Sequence, residues 1–441
     1  MKQSKHNIYY SPKEVRTILE RSIDTALDGL KCYCNDPVSD FTRCRKLPAR
    51  SLIECIMSFS NYSSIGELSH FFVGQGEMPS ASALSQRRQL LDPDIFKRIN
   101  NLFVSAFDDH TTINGYHILA QDGSDVNIPF MDDKTKTEKH DAKSFCQYHV
   151  NALYDCLNKV FYDWSIDAAS KKREVNALIS ILKDRNYPQN SIFTADRGYE
   201  SYNLMAHFIE NDIKFVIRVK DIHTKSGLMT NIKTEEGAFD IRVTRTLTSL
   251  QTKEIKADKE KYIFVPSTSN FDFLDETRDL YDLSFRAVRF KISEDTYETV
   301  VTNLSEEEFK TEDFKELYHY RWNEETAFNK LKYTIGLVYF HARKRKLIQQ
   351  EINAAFLMYN VSEVIIRNIY LKKNKKPELE YDYKPNFSSA VTNIRLYLRK
   401  KINMRELILR IKKFLVAQRP ERSYERNIKG QSCKPLNYRT S

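Results

Sequence analysis

Residues 191–219, SIFTADRGYESYNLMAHFIENDIKFVIRV, read as strand, helix, strand. Ser191–Ala195 is the short apolar run that a buried strand requires, and it leads directly into Asp196. Tyr202–Glu210 is helical, and Ile213–Val219 alternates apolar and polar residues as strands do. Asp196-Arg197-Gly198-Tyr199 therefore lies where the chain leaves the first strand. An acid just past a buried strand, with a glycine close by, is either a turn former or a site residue at the sheet's end.

Toward the N-terminus, Lys171–Arg185 reads as a helix with Val175, Leu178, Ile179 and Leu182 on one face. Gln147–Leu157 and Lys159–Ile166 are rich in Val, Tyr and Phe and read as two strands about a turn at Asn158. His117–Gln121 is a further short strand ending in Asp122-Gly123-Ser124, which presents the same two readings as Asp196. Asp125, Asp155, Asp163 and Asp167 are competing acids in this region. Three strands, helix, strand, helix, strand is the element order of the ribonuclease H fold, an α/β architecture with a mixed sheet flanked by helices. Residues 113–220 are thus expected to form the first part of a catalytic core.

Toward the C-terminus, Phe239–Leu250, Glu254–Val265, Leu283–Ile292 and Thr296–Leu304 are strand-like, so residues 221–303 read as a β-rich insertion. Ser305-x-x-Glu308 offers a capping box, and helices follow over Glu312–Tyr333, Lys346–Ile369 and Ser388–Val416. Residues 304–372 complete the core as helices, and 373–441 form a basic helical region whose tail, Gln418–Ser441, is polar and extended. Residues 1–112 read as helical. Ser51–Phe59, Ser64–Phe72 and Ser80–Leu91 are short helices, the last two separated by Gly74, Gly76 and Pro79. With Gln86, Arg87 and Arg88 on the last of them, this is a DNA-binding helix-turn-helix or, equally, a small bundle with a solvated basic face.

The chain's 441 residues allow two to four domains, and 41 % hydrophobic with 29 % charged residues is an ordinary globular balance. Lys and Arg exceed Asp and Glu by 69 to 59, a net charge of +10, which suits a polyanionic partner without requiring one. Met1–Val15 has no apolar core, so no secretory signal is read there. Ala354–Ile366 is interrupted by Asn360, Ser362 and Glu363 and is too short and polar to span a bilayer. Seven cysteines scattered through a long chain suit a reducing compartment. Cys32, Cys34, Cys44 and Cys55 match no zinc spacing and read as buried or idle thiols.

The most informative constellation is Tyr318-x₂-Arg321-x₃-Glu325-x₆-Lys332. On a continuous helix of about 100° per residue these four side chains fall within an arc of about 60°. Periodicity alone also fits a surface ladder, since Arg321 and Glu325 are i, i+4 partners. Breaking a phosphodiester by in-line attack needs an activated oxygen nucleophile and neutralised charge on the leaving oxygen. Two Mg²⁺ about 3.5–4 Å apart supply both, and hard cations take carboxylate oxygens. No softer-metal His/Cys cluster and no phosphate-binding glycine loop of the G-x-x-x-x-G-K-[ST] type stands in the sequence.

These residues resemble the Y-R-E-K signature of DDE transposases of the insertion-sequence-4 group. Asp122-Gly123-Ser124 is similar to the family's first acid motif and Asp196-Arg197-Gly198-Tyr199 to its second. The resemblance spans about residues 40–370. It implies that Asp122, Asp196 and Glu325 are the catalytic, metal-binding triad for two Mg²⁺, with Mn²⁺ able to substitute. It implies that Arg321 and Lys332 hold phosphates, supported by Tyr318. Double-stranded DNA is the implied partner, as terminal repeats and as target, with the protein a homodimer at paired ends in a bacterial cytoplasm. Hairpin-forming relatives use an aromatic of the insertion, typically Trp, to stack on a flipped base. Here Trp164 and Trp322 both lie outside 221–303, leaving Phe239, Tyr262, Phe264, Phe271 or Phe273 for that role.

Further phosphate contacts are expected from Arg197, Arg87, Arg88, Arg343 and Arg345, and from a tail carrying Arg419, Arg422, Arg426 and Lys429 around Tyr424. A solvated face explains each basic cluster equally. His149 and His341 read as satisfied structural histidines. A ribonuclease-H-like nuclease without strand transfer and a non-catalytic DNA-binding protein are the alternative functions.

Overall fold

Val, Ile, Tyr and Phe, concentrated in residues 117–302, draw that stretch into one ten-stranded mixed sheet. The structure is a computed structural model describing all residues except 6–8, 44, 61, 75, 140–141, 170–173, 225, 267, 295, 371–381 and 419–441. The sheet's strands are β1 (His117–Ile128), β2 (Lys136–Lys139), β3 (Ala142–Asp155), β4 (Val160–Ala168), β5 (Ser191–Ala195), β6 (Lys214–Val219), β7 (Phe239–Thr248), β8 (Tyr262–Phe264), β9 (Leu280–Ser293) and β10 (Thr296–Thr302). Their spatial order is β8-β7-β9-β10-β6-β5-β1-β3-β2, with β4 also paired to β3.

Within it, β4, β3 and β1 are antiparallel neighbours, while β1, β5 and β6 run parallel. The helices Glu174–Asp184 and Tyr202–Glu210 make the two crossovers that parallel pairing demands. Three antiparallel strands followed by two parallel ones is the ribonuclease H arrangement, so the mixed α/β fold read from the sequence is the one observed.

Several elements differ from expectation. Strand β1 does not stop at Gln121 but continues through Asp122-Gly123-Ser124 to Ile128, because β3 pairs with it along its length, Asp122 facing Ala152. The β-rich stretch extends the same sheet, since β10 pairs antiparallel with β6. Glu254–Val265 is not one strand but a short helix, Lys253–Ala257, before β8. Glu312–Tyr333 is broken into Asp313–His319 and Trp322–Lys330, followed by a π-helical turn over Leu331–Ile335. Ser388–Val416 is likewise two helices, Phe387–Leu398 and Met404–Lys413.

The helix Arg345–Tyr370 is buried almost throughout and forms the spine against which the N-terminal helices and the sheet pack. Its interior amides are all engaged: Asn353 Oδ1 accepts from Trp164 Nε1 at 2.8 Å, and Asn360 Oδ1 from the Phe161 amide at 2.8 Å. No helix among the described residues is long and apolar enough to cross a membrane.

Candidate functional site

Two sheet neighbours bring the first two acids together. The parallel register of β1 and β5 ends at Gln121 opposite Ala195, so Asp122 and Asp196 are the next residues on adjacent chains. Each is held by a local amide: Gly123 N donates to Asp122 Oδ1 at 2.8 Å, and Gly198 N to Asp196 Oδ1 at 2.7 Å. Asp196 thereby caps the 3₁₀ turn Arg197–Tyr199. Both glycines are required by close approach. A Cβ at Gly123 would lie 2.3 Å from His149 Nε2, and one at Gly198 would lie 2.9 Å from Asp196 Oδ1.

Glu325 reaches the same place from the helix Trp322–Lys330. The link is Arg321, which is 4 % exposed. Its Nη1 stands 3.7 Å from Asp122 Oδ2 and its Nη2 3.2 Å from Glu325 Oε1. The guanidinium also lies against the rings of Tyr318 and Trp322, at 5.7 and 5.5 Å. Burial acts against its charge, but Tyr318, Asp122, Glu324 and Glu325 outweigh burial and hold it above its ordinary value. Lys332 falls in the π-helical turn rather than on a continuous helix with Glu325, so the simple 100° arithmetic does not apply to it.

The electrostatics are unbalanced. Burial pushes the Asp122 carboxyl up to about 6, with Asp196 and Glu325 adding to burial and the Gly123 amide and Arg321 opposing it. Glu324, adjacent to the candidate triad, is fully buried, and both its oxygens lack a hydrogen-bond partner among the described residues. Burial, reinforced by Asp122, drives its pKa well above the usual carboxylate range. Tyr318 is pushed up to about 12 by burial, and its hydroxyl is likewise without a partner there.

The competing acids are engaged elsewhere. Asp155 is fully buried and pairs with His117 at 2.7 Å, Asp163 pairs with Lys97 at 3.0 Å, and Asp167 accepts from Ser165 at 3.2 Å. Asp125 holds His149 Nδ1 at 2.7 Å, while Glu174 holds its Nε2 at 3.0 Å. Those two carboxylates overcome burial and push His149 up to about 9. Glu174 was not singled out in the sequence, although it opens the helix after β4 and packs against both glycines of the acid motifs.

The basic residues sort differently. Arg197 and Arg343 are exposed. Arg88 is a correction: it is buried, donating to Glu351 Oε1 and the Leu347 carbonyl, each at 2.7 Å, so it faces the protein interior rather than a DNA groove. Arg87 donates to the Leu47 carbonyl and lies 4.1 Å over the Phe41 ring, and Arg345 is committed to Asp133 at 2.6 Å. Among the insertion's aromatics, Phe271 and Phe273 pack on Tyr281, whereas Phe264 is 44 % exposed. The tail residues from Arg419 onward and Cys44 lie outside the described residues.

An all-oxygen donor set of Asp122, Asp196 and Glu325 fits a hard divalent cation in kind. Asp196 keeps an oxygen beyond the one its amide contact uses, and Asp122 carries an excess of neighbouring negative charge. Among the described residues no three metal-ligating side chains already converge on one point, Arg321 lying between Asp122 and Glu325.

Residues 113–361, more than half of the chain, match the family model described as Transposase DDE domain. No curated protein matches the chain. Among solved structures it is similar to a cryo-EM structure of a piggyBac transposase synaptic complex with hairpin DNA. That likeness has 11 % identity and a TM-score of 0.44, covering 96 % of this chain and 90 % of that one.

Proposed function

The chain belongs to the Transposase DDE domain family, and from that premise we propose that it is the transposase of an insertion sequence of the insertion-sequence-4 group. The observation that carries this reading is the register of β1 and β5, which sets Asp122 beside Asp196, together with Arg321 linking Asp122 to Glu325. The complete Tyr318–Arg321–Glu325–Lys332 spacing supports the group.

Asp122, Asp196 and Glu325 would hold two Mg²⁺, or Mn²⁺ in their place. Such ions, when bound, activate the attacking oxygen and neutralise charge on the leaving one. Arg321 and Lys332 bind the phosphate next to the scissile bond, and the buried Tyr318 ring fixes the guanidinium from behind. Arg197 and Arg343, being exposed, extend the phosphate track. Cleavage at an element end frees a 3′-hydroxyl, which then attacks a phosphodiester of the target duplex. A homodimer would pair the two ends.

The test is incubation with Mg²⁺ of end-labelled DNA carrying both ends of the element, alongside Asp122→Asn, Asp196→Asn and Glu325→Gln. Cleavage with joining, lost in each variant while DNA binding persists, is the expected result. Cleavage without joining would make the protein a nuclease. Binding without cleavage would make it a DNA-binding protein.

A further inference from the structure

A cavity of about 430 Å³ opens between the helices Pro12–Asp28, Ala49–Met57 and Phe387–Leu398, a size ordinary for small-ligand pockets, which run to about 300–1,000 Å³. One wall is apolar, with Leu19, Phe71 and Met358. The other carries cations whose balance is uneven. Arg50 is paired with Asp24 and Glu54, and Arg16 and Lys400 share Glu20. Arg395 and Arg399 have no carboxylate partner among the described residues.

Arg395 is 7 % exposed, and its Nε has no hydrogen-bond partner there; its Nη2 donates to the Ile335 carbonyl at 3.0 Å. Arg399 uses only Nε, toward the Arg395 carbonyl at 3.3 Å. Burial pulls Arg395 down to about 10, with Arg399 lowering it further, and burial lowers Arg399 as well. Glu67 acts on both from a distance; its Oε1 is taken up by the Ser60 and Tyr62 amides and by His341, and its Oε2 accepts from Ser60 Oγ at 3.5 Å. A buried and a half-buried guanidinium, neither paired directly with a carboxylate among the described residues, are costly to hold side by side.

We propose that this cavity is a binding site for a small organic phosphate, its phosphate group seated on Arg395 and Arg399 and its organic body against Leu19, Phe71 and Met358. The recessed position of Arg395 favours a small molecule over the backbone of a duplex, whose phosphates are flanked on both sides. The site is independent of the acid cluster and of the transposase reading.

The test is thermal-shift and calorimetric titration of the full chain with orthophosphate, adenosine monophosphate, adenosine and blunt duplex DNA. Adenosine monophosphate is expected to raise Tm dose-dependently and orthophosphate to do so less, with adenosine inert. Arg399→Gln should weaken the binding about tenfold or more. Leu398→Glu, which supplies a carboxylate within the cavity, should raise Tm without ligand and abolish the response. A response indifferent to both variants, no response to either phosphate, or an Arg399-dependent response to duplex DNA alone would overturn the proposal.

Discussion

Arg321 and Arg88 are both buried arginines set among carboxylates, and their surroundings point to opposite purposes. Around Arg88 every charge is answered. Glu351 is held below its usual range because Arg88 and His341 outweigh burial. Glu67 is held low because His341 and the Tyr62 and Ser60 amides do the same. His341, between them, is pushed up to about 9 against burial. This closed network ties the helices Ser64–Phe72 and Ala81–Leu90 to the spine Arg345–Tyr370. Around Arg321 the acids are in excess: Asp122 rises to about 6, and Glu324 is buried with neither oxygen bonded among the described residues. A balanced network is what a structural joint needs. An acid cluster left short of positive charge is what a site for added cations needs.

The comparison can be broken most forcefully at Arg88. Arg88→Met leaves the buried Glu351 with His341 as its sole cationic partner among the described residues, and the expected cost is about 3–5 kcal/mol in urea unfolding. Arg321→Gln should cost markedly less stability, because its acids can take up protons or solvent, yet should lower DNA cleavage about 10²–10³-fold. Equal stability losses in the two variants would erase the distinction.

In the absence of divalent ions both clusters lose stability as pH rises, but in different pH windows. A folded carboxyl at about 6 against an ordinary 3.8 means that the unfolded chain binds fewer protons between those values. Stability therefore falls as pH rises from about 4 to 6, by on the order of 3 kcal/mol, and Asp122→Asn should remove that slope. His341, at about 9 against an ordinary 6.5, stabilises fully below about 6.5 and loses this contribution as pH rises through 9. His149 shares that direction and window. His341→Gln should make the alkaline limb of a pH–stability curve shallower, His149 supplying the remainder, while leaving the acid limb in place.

A smaller effect sharpens the picture at the first acid. Gly123→Ala drives a methyl into His149, with an expected cost of about 1–3 kcal/mol by thermal unfolding. Because His149 bridges Asp125 and Glu174 beside Asp122, cleavage should fall with it. Full activity in Gly123→Ala would show that the histidine bridge does not position the acid.

Much of this was readable from local pattern. Ser191–Ala195 followed by Asp196, the helix after it, and the long buried helix all carry their periodicity in contiguous residues. What escaped depends on partners far away in the chain. Asp122-Gly123-Ser124 looks like a turn because nothing local shows that β3 will pair along it. Arg88 looks like a DNA contact because Glu351 lies 263 residues further on. At Tyr320–Arg321 the backbone bonds shift to three-residue spacing, Arg321 N donating to the Tyr318 carbonyl and Glu324 N to that of Arg321, which helical arithmetic does not include. Glu174 gave no signal, since a lone acid opening a helix is ordinary capping chemistry.

The central claim is that three acids remote in sequence act as one cation-holding site, and binding of Mn²⁺ measures it without requiring catalysis. Melting temperature is followed across a Mn²⁺ titration for the wild type and for Asp122→Asn, Asp196→Asn and Glu325→Gln. A saturable rise in the wild type, lost in each variant, is the predicted result. A wild type indifferent to Mn²⁺, or a rise that survives all three substitutions, would contradict the account.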